Sequence, residues 1–225
     1  AAPPSFSWVW TNESATAAFA GHTAALAGLE GLPLRDAVFG DLDGDGDLDL
    51  LIAVEAATRQ RRAGSLLIYF NQNGALVDSG QRLGAGQSTV ALGDLDRDGD
   101  LDVLAAGRNS GVVWMNQGGM QRGAAGSFTE SRELFKGRVS AAFLNDLNGD
   151  GAPDALIATE RYAVVWWNDG QGTLSRSNQV LHYSERHAPA IGDLDGDGDP
   201  DVLACAYADD CRVWLNQGAG VFEAR

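Results

Sequence analysis

One nine-residue pattern, Asp-x-Asp/Asn-x-Asp-Gly-x-x-Asp, occurs four times in this chain. The copies are Asp41–Asp49, Asp94–Asp102, Asp146–Asp154 and Asp193–Asp201, with first residues 53, 52 and 47 positions apart. A near-fixed period of that size marks a repeat architecture, in which each unit is one supersecondary element that buries its apolar faces against its neighbours. The acidic residues are concentrated accordingly: 18 of the 31 Asp and Glu fall inside the four windows.

The flanks of each window are extended in character. Val38-Phe39-Gly40, Ala91-Leu92-Gly93, Phe143-Leu144-Asn145 and Ala190-Ile191-Gly192 lead in, and near-continuous apolar runs such as Leu48-Asp49-Leu50-Leu51-Ile52-Ala53 lead out. A second element follows each window: Ile68-Tyr69-Phe70-Asn71, Val113-Trp114-Met115-Asn116, Val165-Trp166-Trp167-Asn168 and Val213-Trp214-Leu215-Asn216. β-branched and aromatic residues running into Gly-rich turns read as strand ends. In the first unit the expected strands end at Gly40, then cover about Leu48–Glu55, Ser65–Asn71 and Ala75–Leu83. Only the Ala-rich stretch Ala15–Leu29 departs from this extended character. Four short strands per unit of roughly 50 residues predict an all-β β-propeller of four-stranded blades. Strands buried on both faces explain the unbroken apolar runs.

The windows have the chemistry of a calcium loop. Calcium takes six to eight hard oxygen ligands at about 2.3–2.6 Å, and oxygens at positions 1, 3 and 5 of a tight turn can converge on one point. Gly46, Gly99, Gly151 and Gly198 at position 6 permit the bend. Position 7 offers its carbonyl, which leaves its side chain free to vary, as Ala152 shows. The expected site residues are Asp41, Asp43, Asp45, Asp47 and Asp49; Asp94, Asp96, Asp98, Asp100 and Asp102; Asp146, Asn148, Asp150, Ala152 and Asp154; and Asp193, Asp195, Asp197, Asp199 and Asp201. The ninth-position aspartate is expected to close the shell. An EF-hand requires Glu at position 12, where this chain has Ile52, Ala105, Ile157 and Ala204. Magnesium keeps its waters rather than enter such a cage. Up to four calcium ions are expected, which would take the formal charge from −15 to −7.

These units resemble the FG-GAP or VCBS-type repeats of integrin-like β-propellers. The resemblance rests on Phe39-Gly40 and its equivalents, the acidic loops and the Val-Trp-x-Asn strand, and covers about Arg35–Arg225. It implies radial blades, structural calcium between the first and second strands of each, an extracellular setting, and partners that dock elsewhere on the disc. Two features depart from the family. Asn145 replaces the glycine before the third loop, and only four complete units are present where seven blades are common. Residues 35–225 are expected to form four blades. Residues 1–34, which carry a fifth strand copy (Val9-Trp10-Thr11-Asn12), are expected to add a partial blade or closing strands to the same domain. Three readings of the half blade stay open: a small closed ring, a fragment of a larger ring, or completion of a neighbouring subunit by strand addition.

Other features bound the function. The net charge of −15 excludes a nucleic-acid surface, which needs clustered Lys and Arg. No run approaches the length of a membrane helix, so no membrane insertion is expected. Cys205 and Cys211 flank a turn-like stretch and are expected to pair, which would place the chain in an oxidising compartment. The start Ala1-Ala2-Pro3-Pro4 fits signal-peptide removal or an arbitrary boundary, and Asn12-Glu13-Ser14 is a formal glycosylation sequon. His22, His182 and His187 show no catalytic pattern, and His182 and His187 are expected in a solvated loop. Trp114, Trp166 and Trp214, at one repeated position, are expected to pack between blades. Trp8 and Trp167 break that pattern and are candidates for a surface contact. Arg59-Gln60-Arg61-Arg62 is expected in an exposed hairpin loop. The function expected is a secreted, non-enzymatic adhesion, interaction or assembly module with a protein or glycan ligand at the cell surface. The alternatives are a lectin, a homo-oligomer or self-assembling surface polymer, and a polysaccharide-active enzyme scaffold.

Overall fold

The computed structural model describes residues 8–12, 19–23, 29, 32–54, 66–84, 86–108, 110–119, 123–183, 188–205 and 211–225. The chain divides into two compact units, Ala1–Pro33 and Leu34–Arg225. In the first, β1 (Trp8–Asn12) and β2 (Phe19–Thr23) form an antiparallel hairpin, with Trp8 opposite Thr23 and Asn12 opposite Phe19. Part of the Ala-rich stretch singled out as an exception in the sequence is therefore strand.

The second unit is four antiparallel four-stranded sheets. Sheet one holds β3 (Leu34–Gly40), β4 (Asp49–Val54), β5 (Leu66–Gln72) and β6 (Ala75–Leu83); sheet two holds β7 (Gln87–Gly93), β8 (Asp102–Gly107), β9 (Ser110–Asn116) and β10 (Phe128–Lys136). Sheet three holds β11 (Ala141–Asn145), β12 (Asp154–Ala158), β13 (Tyr162–Asn168) and β14 (Leu174–His182); sheet four holds β15 (Ala190–Gly192), β16 (Asp201–Cys205), β17 (Cys211–Asn216) and β18 (Phe222–Ala224). In each, strands follow one another in sequence order across the sheet, which is the build of a propeller blade. No α-helix occurs among the described residues. The expected strand limits in the first unit hold to within a residue wherever both are described; Glu55 and Ser65 lie outside the described residues.

The second strands are the most buried: every residue of β4, β8 and β12 is enclosed. They are enclosed because consecutive sheets pack face to face and share their apolar side chains. One cluster joins sheets one and two through Leu42, Leu51, Ile68, Val90 and Val103. The next joins sheets two and three through Leu95, Leu104, Val113, Ile157 and Trp166. The third joins sheets three and four through Leu147, Leu156, Val165, Val202 and Trp214. Trp166 and Trp214 are buried, and Trp114 packs against the first cluster, as the repeat predicted. Trp167 corrects the reading of it as a surface contact, because it packs against the third cluster and its ring closes over Gly220. Its neighbour comes from the next sheet, which local pattern does not reveal.

Cys205 and Cys211 are opposite one another across β16 and β17 and form a disulfide. His182 ends β14 rather than lying in a loop, with its ring 6.3 Å from that of Tyr162. His187, Arg59–Arg62, Glu13 and Ser14 of the sequon, the 206–210 turn, and the side chains of Trp8, Trp10 and His22 lie outside the described residues.

Candidate metal loops and the joints between blades

Each acidic loop connects the first and second strands of its sheet, so all four sit at equivalent corners. The bend at position 6 is real: Gly46, Gly99, Gly151 and Gly198 have φ of 92°, 99°, 87° and 95°. Position 4 also turns left-handed, and here the second loop places Arg97 at φ 60° where the others have glycine. That residue bridges loops, its guanidinium donating to the carbonyl of Asp150 at 2.6 Å and to its carboxylate at 2.9 Å.

The first aspartate of each loop faces inward and accepts backbone amides. In loop one, Gly44 and Gly46 donate to the two oxygens of Asp41 at 2.8 and 3.0 Å; in loop four, Gly196 and Gly198 do so to Asp193 at 2.7 and 3.1 Å. This winds each loop into a cup. Carboxylate oxygens of Asp41, Asp43 and Asp45 lie within 4.8 Å of one another, as do those of Asp94, Asp96 and Asp102, and of Asp193, Asp195 and Asp197. Three hard anionic oxygens at that separation suit a calcium-sized cation. The local electrostatics agree: burial, then Asp49 and Asp45, raises the carboxyl of Asp43, and burial, then Asp98 and Asp94, raises that of Asp100. Oδ2 of Asp100 is buried with no hydrogen-bond partner among the described residues. Loop three is arranged differently. Asn148 donates to Asp150 Oδ2 at 3.0 Å and accepts from its amide at 2.9 Å, and Asp150 is lowered chiefly by the Ala152 amide.

The ninth-position aspartates are built into the fold. Asp49, Asp102, Asp154 and Asp201 are 0–2% exposed. One oxygen of each accepts the position-2 amide of its loop (Leu42, Leu95, Leu147 or Leu194) at 2.8–3.1 Å. The other accepts the amide of Asn71, Asn116, Asn168 or Asn216 at the end of the third strand, at 2.7–2.8 Å. Each therefore ties the loop to the sheet. Burial pushes Asp102 up to about 7 and Asp154 up to about 6, against the lowering effect of those amides.

Three of these asparagines also join the sheets. Nδ2 of Asn116 donates at 2.9 Å to the carbonyl of Leu42, in the loop of the preceding sheet. Asn168 does so to Leu95 and Asn216 to Leu147, both at 2.8 Å. The leucines themselves are sunk into the inter-sheet clusters at 0–1% exposure. Sequence reading placed these asparagines at the ends of the third strands and gave them no part in joining sheets. Their recurrence at one strand position was the signal that could have marked them.

At the opposite ends of the strands, Arg35, Ser88, Arg108, Arg138, Val139, Ser140 and Glu160 line a cavity of about 580 Å³. Arg138 and Glu160 pair there at 3.0 Å.

Sheets of this topology, each corner carrying an acidic nonapeptide, define a blade-repeat protein of the propeller class. A family model described as FG-GAP-like repeat matches residues 41–105 and 146–204, more than half of the chain. The chain belongs to the FG-GAP-like repeat family. Integrin alpha-4 of Xenopus laevis is 31% identical over 137 residues, which are 52% of this chain and 13% of that protein. The chain thus spans a small part of the length of that relative. A lectin of Agrocybe aegerita, described for its recognition of non-reducing terminal N-acetylglucosamine, is similar in structure with a TM-score of 0.54 at 22% identity, over 84% of this chain and 51% of the lectin chain. A rhamnogalacturonan lyase overlaps 99% of this chain and 54% of its own at 16% identity, but its TM-score of 0.43 is too low to bear on activity.

Proposed function

We propose that this chain is a calcium-stabilised extracellular binding module, in which the acidic loops hold structural calcium and the partner is a protein or a glycan. The observation that carries this reading is the convergence of three carboxylates within 4.8 Å in loops one, two and four. Such clusters repel strongly unless a cation compensates them. Positions 1, 3, 5 and 9 supply side-chain oxygens and position 7 its carbonyl. Loop three, with Asn148, brings one charge fewer and takes its ion more weakly. Calcium makes the blade corners rigid, so the chain's role is to present a fixed surface rather than to turn over a substrate. The Arg-lined cavity at the far strand ends offers donors to such a partner. The disulfide and the family relationship to an integrin support an extracellular setting.

The test is thermal unfolding and titration calorimetry of the purified chain in calcium and in excess EGTA. Each site occupied at a hundredfold excess over Kd adds about 2.7 kcal/mol, so chelation is expected to lower the melting temperature by many degrees. An unchanged melting temperature, with no heat of calcium binding, refutes the reading.

A further inference from the structure

Three joints link the four sheets, and they repeat one set of contacts. The earlier sheet supplies a buried leucine from position 2 of its loop (Leu42, Leu95, Leu147), and that leucine's carbonyl accepts the asparagine amide of the later sheet. In the first two joints the earlier sheet also offers a glycine before its loop. Gly40 lies under Leu92 and Leu101 of sheet two, and Gly93 lies under Leu144 and Pro153 of sheet three. Each joint is directional, with a leucine side, accompanied by the glycine in the first two, and an asparagine–apolar side.

The outermost sheets carry one uncovered half each. On sheet four, Leu194 is 61% exposed, although it is the same residue at the same loop position as its three buried counterparts. Among the described residues nothing lies within 4 Å of where a Cβ would sit on Gly192, the equivalent of Gly40 and Gly93. On sheet one, Phe39 and Leu48 stand where Leu92 and Leu101 stand on sheet two, and they are 54% and 60% exposed. Asn71 donates to the carbonyl of Leu48 in its own sheet at 3.2 Å. Its three counterparts make the same bond, to Leu101, Pro153 and Pro200, and reach the preceding loop as well. The two uncovered faces are thus complementary halves of the joint already made three times. Within sheets one to four they do not meet, since both stay open to solvent.

We propose that this chain associates head to tail: the open face of sheet four receives sheet one of a second copy. Nδ2 of Asn71 in one copy donates to the carbonyl of Leu194 in the other, and Phe39 and Leu48 cover Gly192. Such an interface is heterologous. It propagates to a closed ring if the rotation permits and to an open filament if it does not. It adds sheets by face-to-face packing and exchanges no strand.

The test is sedimentation of the full chain in calcium across a wide concentration range, alone and as two variants. Leu194→Glu damages one face and Phe39→Glu the other, each at an exposed position that folding tolerates. The wild-type mass is expected to rise with concentration. Each variant alone is expected to lose association at least ~tenfold. An equimolar mixture of the two is expected to form a heterodimer and stop there, because each retains one intact face. Heterodimer formation also shows that both variants fold. A wild-type chain that stays monomeric at every concentration overturns the proposal and assigns the faces to another occupant. Single variants that still self-associate, or a mixture that does not pair, overturn it equally.

Discussion

Asn116 and Asn71 occupy the same position in consecutive repeats, and the fold assigns them unequal work. Asn116 is 1% exposed. Its Nδ2 donates to Leu42 O at 2.9 Å and Leu101 O at 3.3 Å, and its Oδ1 accepts the Gly126 amide at 3.0 Å. Asn116→Ala strands two carbonyls and one amide in a closed site. At about 1 kcal/mol or more for each orphaned buried group, the expected cost is about 3 to 4 kcal/mol. Asn71 is exposed enough for water to replace its bonds to Leu48 O and from Gly74 N. Asn71→Ala is therefore expected to cost less than about 1 kcal/mol. The assay is urea unfolding of both variants and the parent in saturating calcium, at a concentration where the chain is monomeric. Equal costs for the two substitutions, or a cost below about 1 kcal/mol for Asn116→Ala, would refute the idea that these asparagines hold one blade to the next.

Two further outcomes follow from the same geometry. Leu95→Ala is expected to destabilise by about 3 kcal/mol, as a fully buried leucine does, and Leu194→Ala by no more than about 0.5 kcal/mol, both read by the same unfolding assay. In the metal-free protein, Asp102 and Asp154 have folded values of about 7 and about 6, above the ordinary 3.8. The folded state therefore holds protons that the unfolded chain has released, and stability falls as pH rises between about 4 and 7. The EGTA-treated protein should melt higher at pH 5 than at pH 7.5, and the calcium-loaded protein should show the reverse, since the ion requires ionised carboxylates.

Much of this was readable from the chain alone, for a physical reason. The acidic nonapeptide fixes a bend, a strand on each side and a cluster of carboxylates within a few residues, so the four sheets and the strand limits of the first could be derived locally. The Cys205–Cys211 bond was legible for the same reason, as a contact across one hairpin. What escaped depends on partners far away in sequence. Trp167 was taken for a surface residue because its covering glycine, Gly220, lies in the next sheet. The burial of Asp49 and its equivalents was hidden by their membership of an evident ligand pattern, which masked their second use as anchors for Asn71 and its counterparts. Arg97 at positive φ breaks the local rule for a turn, and its reward, the bond to Asp150, belongs to another loop.

Because each of the three apolar clusters among the described residues is shared by two neighbours, none of the four large sheets has such a cluster to itself. Cutting the chain between any two sheets would expose half of a cluster on each side, so an excised repeat would have little reason to fold. A row of sheets has one fewer interior than it has members, whereas a circle has as many interiors as members. Duplication of one fifty-residue stretch thus lengthens the row and supplies a new interior in the same event, giving this architecture a direct route to growth.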